Sequence, residues 1–359
     1  MHKLTAESYI AGFDANHKLV VWAMALAVTS ERDAAGVVKV EWAVAALPWA
    51  SEERPSTPFT YGLRMNAERQ KAFLVEISRL EAEGIIERCV RSTYVNPVVL
   101  VVKPDGTIRF CLDLRKLNKF IRNANVRLTT IEELKHALAG CVIFSELDIK
   151  SAFHHCEVPE ADRDFLAFSL GNVTYRFKRA CFGLRHMTGF FASVLQKILQ
   201  GIEHVYVYVD NVVVATKDVE SHRQALEKIF VALQKFGVKI NAKKCSFFRC
   251  SIKLLGWTFD VNGSHPDPLK VQAVDAMSVP KSRVELLQFL GMTNFLRGHI
   301  PQLAHFQQPL YALTSAGTPW EWTETHSAAF ENVKQAVRSA IMCHYAPTGA
   351  QLVLYTDAS

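Results

Sequence analysis

No two of the eight cysteines in this chain form a CxxC pair, so neither a zinc module nor a dense disulfide framework is indicated. A reducing, intracellular setting is the default expectation. Long hydrophobic runs are missing too. Leu19 to Val28 is about half of the roughly 20 residues a membrane helix needs, and it follows Asp14 and Lys18. It reads as a buried strand or short helix, not as a secretory leader. Charge of one sign is in slight excess only: a net +6 and a pI near 8.8 suit a chain that meets a polyanion without requiring one. Residues 1–57 carry no motif, and Ser51 to Pro58 reads as a linker.

What is present is globular. Hydrophobic residues at 49% and charged residues at 21% of 359 exclude a disordered or fibrous chain and allow two or three domains with proper cores. From Ala67 to Arg88 the residues Phe73, Ile77 and Leu80 recur at helical spacing, with Gly84 as the stop before Ile85 and Ile86. Pro97 to Asp113 reads as a hairpin around the turn Lys103-Pro104-Asp105-Gly106. Val142 to Leu147 is a strand leading into Asp148, and Tyr206 to Ala215 forms two short strands around Asp210-Asn211.

Further helices are marked by Leu226 to Phe236 before Gly237, by the capping box Ser282/Glu285, and by Phe330, Val333, Val337 and Ile341. A last strand, Gln351 to Tyr355, runs into Asp357. Helices and strands intermix without strict βαβ alternation, which predicts an α+β architecture.

Asp148 and Asp210 each stand where a carboxylate meets solvent beside a rigid sheet. If their strands are neighbours, the two carboxylates converge, and they repel unless a cation lies between them. Magnesium takes one or two carboxylates plus phosphate oxygens, and two such ions perform the in-line displacement of polymerases. The plainer reading is that Asp-Asn is an ordinary hairpin turn, because both residues tolerate positive φ. Spacing alone leaves both open.

The run FSELDIKSAFHHCEVPEADRDFLAF (Phe144 to Phe168), then FGLR (Phe182 to Arg185) and YVDN (Tyr208 to Asn211), closely resembles the polymerase of gypsy-class LTR retrotransposons and, more distantly, retroviral reverse transcriptases. RFCLDLRKLN (Arg109 to Asn118), NAKKCSFF (Asn241 to Phe248), LLGW (Leu254 to Trp257), LLQFLGMTNFLRGHIP (Leu286 to Pro301) and WEWTETHSAAFENVK (Trp320 to Lys334) follow the same family in the same order. The resemblance implies a right-hand polymerase fold: fingers and palm over 58–262, thumb over 263–313 and connection over 314–349. The start of a ribonuclease H domain is expected at 350–359. It makes Asp148 and Asp210 the metal-bridging carboxylates for two Mg2+ ions, with Mn2+ as a substitute. The implied partners are an RNA or DNA template with its primer, dNTPs, and either other parts of a Pol polyprotein or a second copy in a homodimer, with no membrane partner. The implied setting is a cytoplasmic virus-like particle or the nucleus.

By the same resemblance Phe153 lies beneath the sugar of the incoming nucleotide, where a ring leaves no room for a 2′-hydroxyl. Without the family it reads as core. Arg109 and Lys103 of the fingers hairpin would hold the triphosphate, although exposed hairpin charges are usually only solvated. Phe182 and Gly183 match the palm segment near nucleotide and template. After Leu184 the chain departs from the family, with His186-Met187-Thr188 and Phe190-Phe191-Ala192. Leu255, Gly256 and Trp257 resemble the turn that positions the primer terminus. The helices from Ser282 onward resemble a thumb along the duplex, and their other faces read as core.

Asp357 resembles the first carboxylate of a ribonuclease H site whose other carboxylates come from later strands, so no ribonuclease H activity is expected. The family has a second aspartate where Asn211 stands. Asparagine keeps the shape and removes a charge, so the fold should survive with weaker magnesium affinity. Two readings stay open: an RNA-directed DNA polymerase with activity impaired at Asn211, and an inactive remnant that at most binds nucleic acid.

Overall fold

β-branched runs bounded by turn formers make the strands of this chain, and apolar residues at helical spacing make its helices. The computed structural model describes residues 45–51, 53–55, 67–90, 92–102, 108–123, 126–315, 317–339 and 343–344. In chain order the first elements are α1 (Ala67–Ala82), β1 (Ile86–Cys89), β2 (Val98–Val102), β3 (Ile108–Leu112), α2 (Ile131–Leu138) and β4 (Ile143–Asp148). Next come α3 (Glu160–Arg163), β5 (Ala167–Leu170), β6 (Val173–Phe177), α4 (Met187–Ile198), β7 (Val205–Tyr208), β8 (Asn211–Thr216) and α5 (Val219–Lys235). The remainder is β9 (Ser246–Arg249), β10 (Ser251–Leu254), β11 (Trp257–Asp260), β12 (Gly263–Pro266), α6 (Pro268–Asp275), α7 (Arg283–Phe295), α8 (Leu303–Ala312), α9 (Glu324–Arg338) and β13 (Cys343–His344). This is the expected α+β mixture. The apolar run Leu19 to Val28 and the expected strand Gln351 to Tyr355 lie outside the described residues.

The chain divides into two compact units. One takes in the described residues up to Thr130 with 145–215 and 219–248, and the other 131–144, 216–218 and the described residues from Arg249 on. In the first unit the strand orders are β1-β6-β5, β2-β3 and β7-β8-β4-β9. The β2–β3 ladder pairs Val98 with Leu112 and Val102 with Ile108, as the hairpin signature predicts. Its aromatic core joins Phe73 of α1 to Phe110 at 5.1 Å, and Phe110 to Phe168 at 4.9 Å. Residues 45–50, which carry no motif, dock here: Ala45 and Leu47 are buried, and Leu47 N–H donates to Asp162 Oδ2 at 2.9 Å.

The helix that opens at Ala67 ends at the Gly84 turn, as the sequence predicts. α1 stops at Ala82, Gly84 turns the chain with φ +66°, and Ile86–Cys89 is a strand paired with β6. The strand itself was not assigned from the sequence, because what makes it one is a partner far along the chain.

In the second unit the strand order is β10-β11-β12-β13, α8 packs on α9, and α9 packs on α6. Leu255 (φ +57°) and Gly256 (φ +83°) form the tight turn between β10 and β11. Trp257 follows, buried, with its ring 4.3 Å from His299, 5.0 Å from Phe295 and under the Lys135 ammonium at 5.1 Å. Ser282 caps α7 by accepting from Glu285 N–H at 3.3 Å. The reciprocal bond runs from Lys281 N–H to Glu285 Oε2 at 2.7 Å, one residue earlier than a standard capping box.

Candidate active site

Side chains alternate across β4, so Ser145 and Leu147 face one way while Glu146 and Asp148 face the other. On the first face everything is sealed. Ser145 Oγ lies 2.6 Å from His222 Nε2 of α5 and accepts from Phe248 N–H at 3.0 Å, with Ser145 and His222 both fully buried. On the second face the two carboxylates are partly exposed.

β8 lies next to β4 and pairs antiparallel with β7, with Tyr208 opposite Asn211. The loop between them is thus the two-residue turn Val209-Asp210. On the plainer reading of Asp210-Asn211 as an ordinary turn either residue tolerates positive φ, but it is Val209 that takes it, at φ +57°. This is the position at which two-residue hairpins of this hand favour glycine, and a β-branched residue there is strained by about 1–3 kcal/mol.

Asp148 and Asp210 line one cavity of about 400 Å³ together with Cys111, Phe182, Asn241 and Lys244. Asn241 N–H donates to the Asp148 carbonyl at 2.8 Å, and the Lys244 ammonium stands 3.7 Å from Asp148 Oδ1. Burial pushes the Asp148 carboxyl up, the Lys244 charge pulls it part of the way back, and the Asp210 charge adds to the rise. Glu146 is pushed up by burial first and by Asp148 second. Asn211 does not turn its amide to the pair: Nδ2 donates to Glu146 Oε1 at 3.2 Å. Among the described residues no three His, Cys, Asp or Glu side chains stand close enough to hold a metal ion by themselves.

Phe182 lines the cavity, and Phe153 lies behind it, buried, with ring centroids 5.0 Å apart. Gly183 is required by conformation and by space. Its φ is +105°, and a Cβ there would meet the Leu112 carbonyl oxygen at 2.8 Å. Arg109 sits on β3 opposite Val101, whereas Lys103 and Asp357 lie outside the described residues. Leu255, Gly256 and Trp257 belong to the second unit, where Gly256 is crowded by Lys270 and Phe295. At the departure after Leu184, His186 is buried with neither ring nitrogen hydrogen-bonded, and burial pushes it down to about 4.

Reading the sequence for site residues missed Glu146, Asn241 and Lys244. Glu146 was within reach of the period-two rule, because a strand that presents Asp148 presents residue 146 on the same face. Lys244 and Asn241 sit in the NAKKCSFF stretch, but nothing local ties that stretch to Asp148.

Residues 101–259 match the family model described as reverse transcriptase (RNA-dependent DNA polymerase). The chain is 30% identical over 293 residues to the Transposon Tf2-7 polyprotein of Schizosaccharomyces pombe, and equally to the Tf2-3 polyprotein, covering 81% of this chain and 22% of each relative. It thus spans about a fifth of the length of the curated relatives it matches. Among solved structures it resembles a foamy viral protease-reverse transcriptase in complex with double-stranded DNA. That match has a TM-score of 0.76 and 23% identity over 83% of this chain and 53% of that one. The same foamy viral protein with an RNA/DNA hybrid matches with a TM-score of 0.72 at 23% identity, over 83% and 40% of the two chains. The mixed helices and sheets are those of the right-hand polymerase fold, residues 101–259 match the reverse transcriptase family, and the chain is similar to the Tf2 transposon polyproteins.

Proposed function

We propose that this chain is the polymerase portion of a retrotransposon polyprotein and that it adds deoxynucleotides to a primer 3′-hydroxyl under the direction of an RNA template. The observation that carries the reading is the meeting of Asp148 and Asp210, from a strand end and a strained turn, on one cavity of about 400 Å³. The donor set fits a divalent cation. Both groups are hard oxygen ligands, and Asp148 is held above its ordinary value because burial and Asp210 outweigh Lys244. Bound there, Mg2+ or Mn2+ would activate the primer hydroxyl and neutralise the departing pyrophosphate.

The chain's own residues account for the rest. The Lys244 ammonium offsets negative charge at the Asp148 edge. Phe182, backed by Phe153, forms an aromatic wall that excludes a 2′-hydroxyl by bulk, and Gly183 lets the backbone come close. Arg109 and Lys103 hold the triphosphate. In the second unit the turn Leu255-Gly256-Trp257 holds the primer end. α7 exposes Val284, Leu287 and Phe295 on one face, with open space over Gly291 between them, and this face lies along the template–primer duplex. Fingers and palm over 58–262, thumb over 263–313 and connection over 314–349 follow from the same reading. Among the described residues no helix is long and apolar enough to cross a membrane; the setting that goes with this reading is inside the cell, in a particle or in the nucleus.

A second reading is favoured by the amide at 211, which is turned to Glu146 and leaves two carboxylates on the cavity: a nucleic-acid-binding protein without polymerase activity. Primer extension on an RNA template separates the two. Extension with dNTPs and Mg2+ or Mn2+ that disappears in Asp148→Ala supports the first. Template binding with no extension at any metal concentration supports the second.

A further inference from the structure

Asn211 has the character of half of a pair, and its partner is Glu146. We propose that Glu146 is a positioning residue for the Asp148–Asp210 site and that its carboxylate makes asparagine, not aspartate, the compatible residue at 211. The part that concerns the cation rests on the polymerase reading above. The part that concerns the pair does not.

Glu146 and Asp148 both belong to β4. Alternation along the strand puts Glu146 on the face that carries Asp148, away from the sealed Ser145. Its Oε1 accepts from Asn211 Nδ2 at 3.2 Å, and Asn211 is the residue directly after Asp210. A side-chain tie therefore joins the strand bearing one carboxylate to the turn bearing the other. The turn needs such a tie. Val209 is held in the left-handed region, a conformation that persists only when its surroundings over-determine it. Among the described residues no cation forms an ion pair with Glu146, so the Asn211 amide is the donor that answers it.

An aspartate at 211 would turn this contact around. Ionised carboxylates only accept hydrogen bonds, so the partly buried Glu146 would face a second acceptor where it now has a donor. Four carboxylates, at 146, 148, 210 and 211, would then crowd two adjacent strands. With Glu146 present, asparagine at 211 trades a charge for a hydrogen bond, and a charge remains beside Asp148 at position 146. Replacing Asn211 alone does not simply repair the site.

The test is a cycle of four proteins: the natural chain, Glu146→Gln, Asn211→Asp and the double variant. Melting temperatures are measured with EDTA present, so that no cation enters the result. Glutamine keeps an oxygen for Asn211, and in the double variant its amide can donate to an aspartate. The expected result is that Asn211→Asp lowers the melting temperature by about 3 °C or more, whereas in the Glu146→Gln background the same change costs nothing. Equal loss in both backgrounds overturns the proposed pair.

Positioning is read separately by titrating Mn2+ and following the free ion by electron paramagnetic resonance. Both variants lose the charge at 146, and Glu146→Ala is expected to bind about fivefold more weakly than Glu146→Gln, because only alanine cuts the tie. Identical affinities for the two variants overturn the positioning role. If no member binds Mn2+ or extends a primer, it is the polymerase reading that fails, and the melting cycle still decides the pair.

Discussion

The two faces of β4 solve opposite problems with neighbouring residues. Ser145 looks into the protein, where a polar group without a partner costs about 1–3 kcal/mol, and it is met by both His222 and the Phe248 amide. Glu146 and Asp148 lie on the open face, where both stay partly wet; Asp148 adds to the rise of Glu146, and Asp210 to that of Asp148. One face is satisfied without any ligand, and the other keeps more negative charge than the Lys244 ammonium offsets. The strand is therefore a rigid, internally completed support for a site that is deliberately incomplete, an arrangement expected of catalytic carboxylates on a sheet.

The largest effect that would break this comparison belongs to the sealed face. Ser145→Ala takes from His222 and from Phe248 N–H the oxygen they share, in a fully buried position. A loss of about 2–3 kcal/mol is expected, seen as a melting temperature lower by about 6 °C, with Mn2+ affinity unchanged in the protein that remains folded. If Ser145→Ala melts like the natural chain, the sealed face is not what stiffens β4. Thermal melting and Mn2+ titration of one preparation check both halves.

How far each face could be read from the sequence follows from the range of its contacts. Asp148 and Asp210 were legible because a strand pattern ends at each, and both signals are local. Ser145 with His222 was not, since 77 residues separate them and an isolated serine in an apolar run signals nothing. The strand Ile86–Cys89 was hidden for the same reason: Gly84 marks the end of the helix before it, but its partner is β6, far along the chain. At the turn, Asp-Asn suggested which residues would take positive φ, but strand register decided it in favour of Val209. Glu146 was readable in principle from period two, yet its meaning needed the contact with Asn211.

On the open face the sign of the effect reverses. Asp148 is held above its ordinary carboxylate value by burial and by Asp210, so its ionised form opposes folding. The favourable contribution of a raised carboxyl is complete below the unfolded value of 3.8 and is lost as pH climbs through the folded one. Asp148→Asn should therefore melt higher than the natural chain at pH 8 without metal, by about 2 °C once solvent screening is allowed for. The gain should shrink as pH falls through the raised value and vanish at the acid end. Adding Mn2+ should reverse the order, because only the natural chain gains stability from the ion. A gain that is the same at all pH values would mean that repulsion at Asp148 is not its source.

The smallest effect sharpens the comparison from the side of the counter-charge. Lys244 is the cation paired with Asp148, at 3.7 Å and largely exposed. An exposed pair of this kind contributes about 0–1 kcal/mol, so Lys244→Met should leave the melting temperature within error. Its effect should appear in cation affinity instead. A unit charge near 4 Å in water is worth about 1 kcal/mol, and removing a positive one beside the site should tighten Mn2+ binding by up to about fivefold at low salt. In 1 M salt, where the screening length falls to about 3 Å, the difference should largely disappear. Tighter binding that persists at high salt would mean that Lys244 obstructs the ion sterically. Weaker binding would mean that it orients Asp148, and the open face would then be more completely built by the protein than its charges suggest.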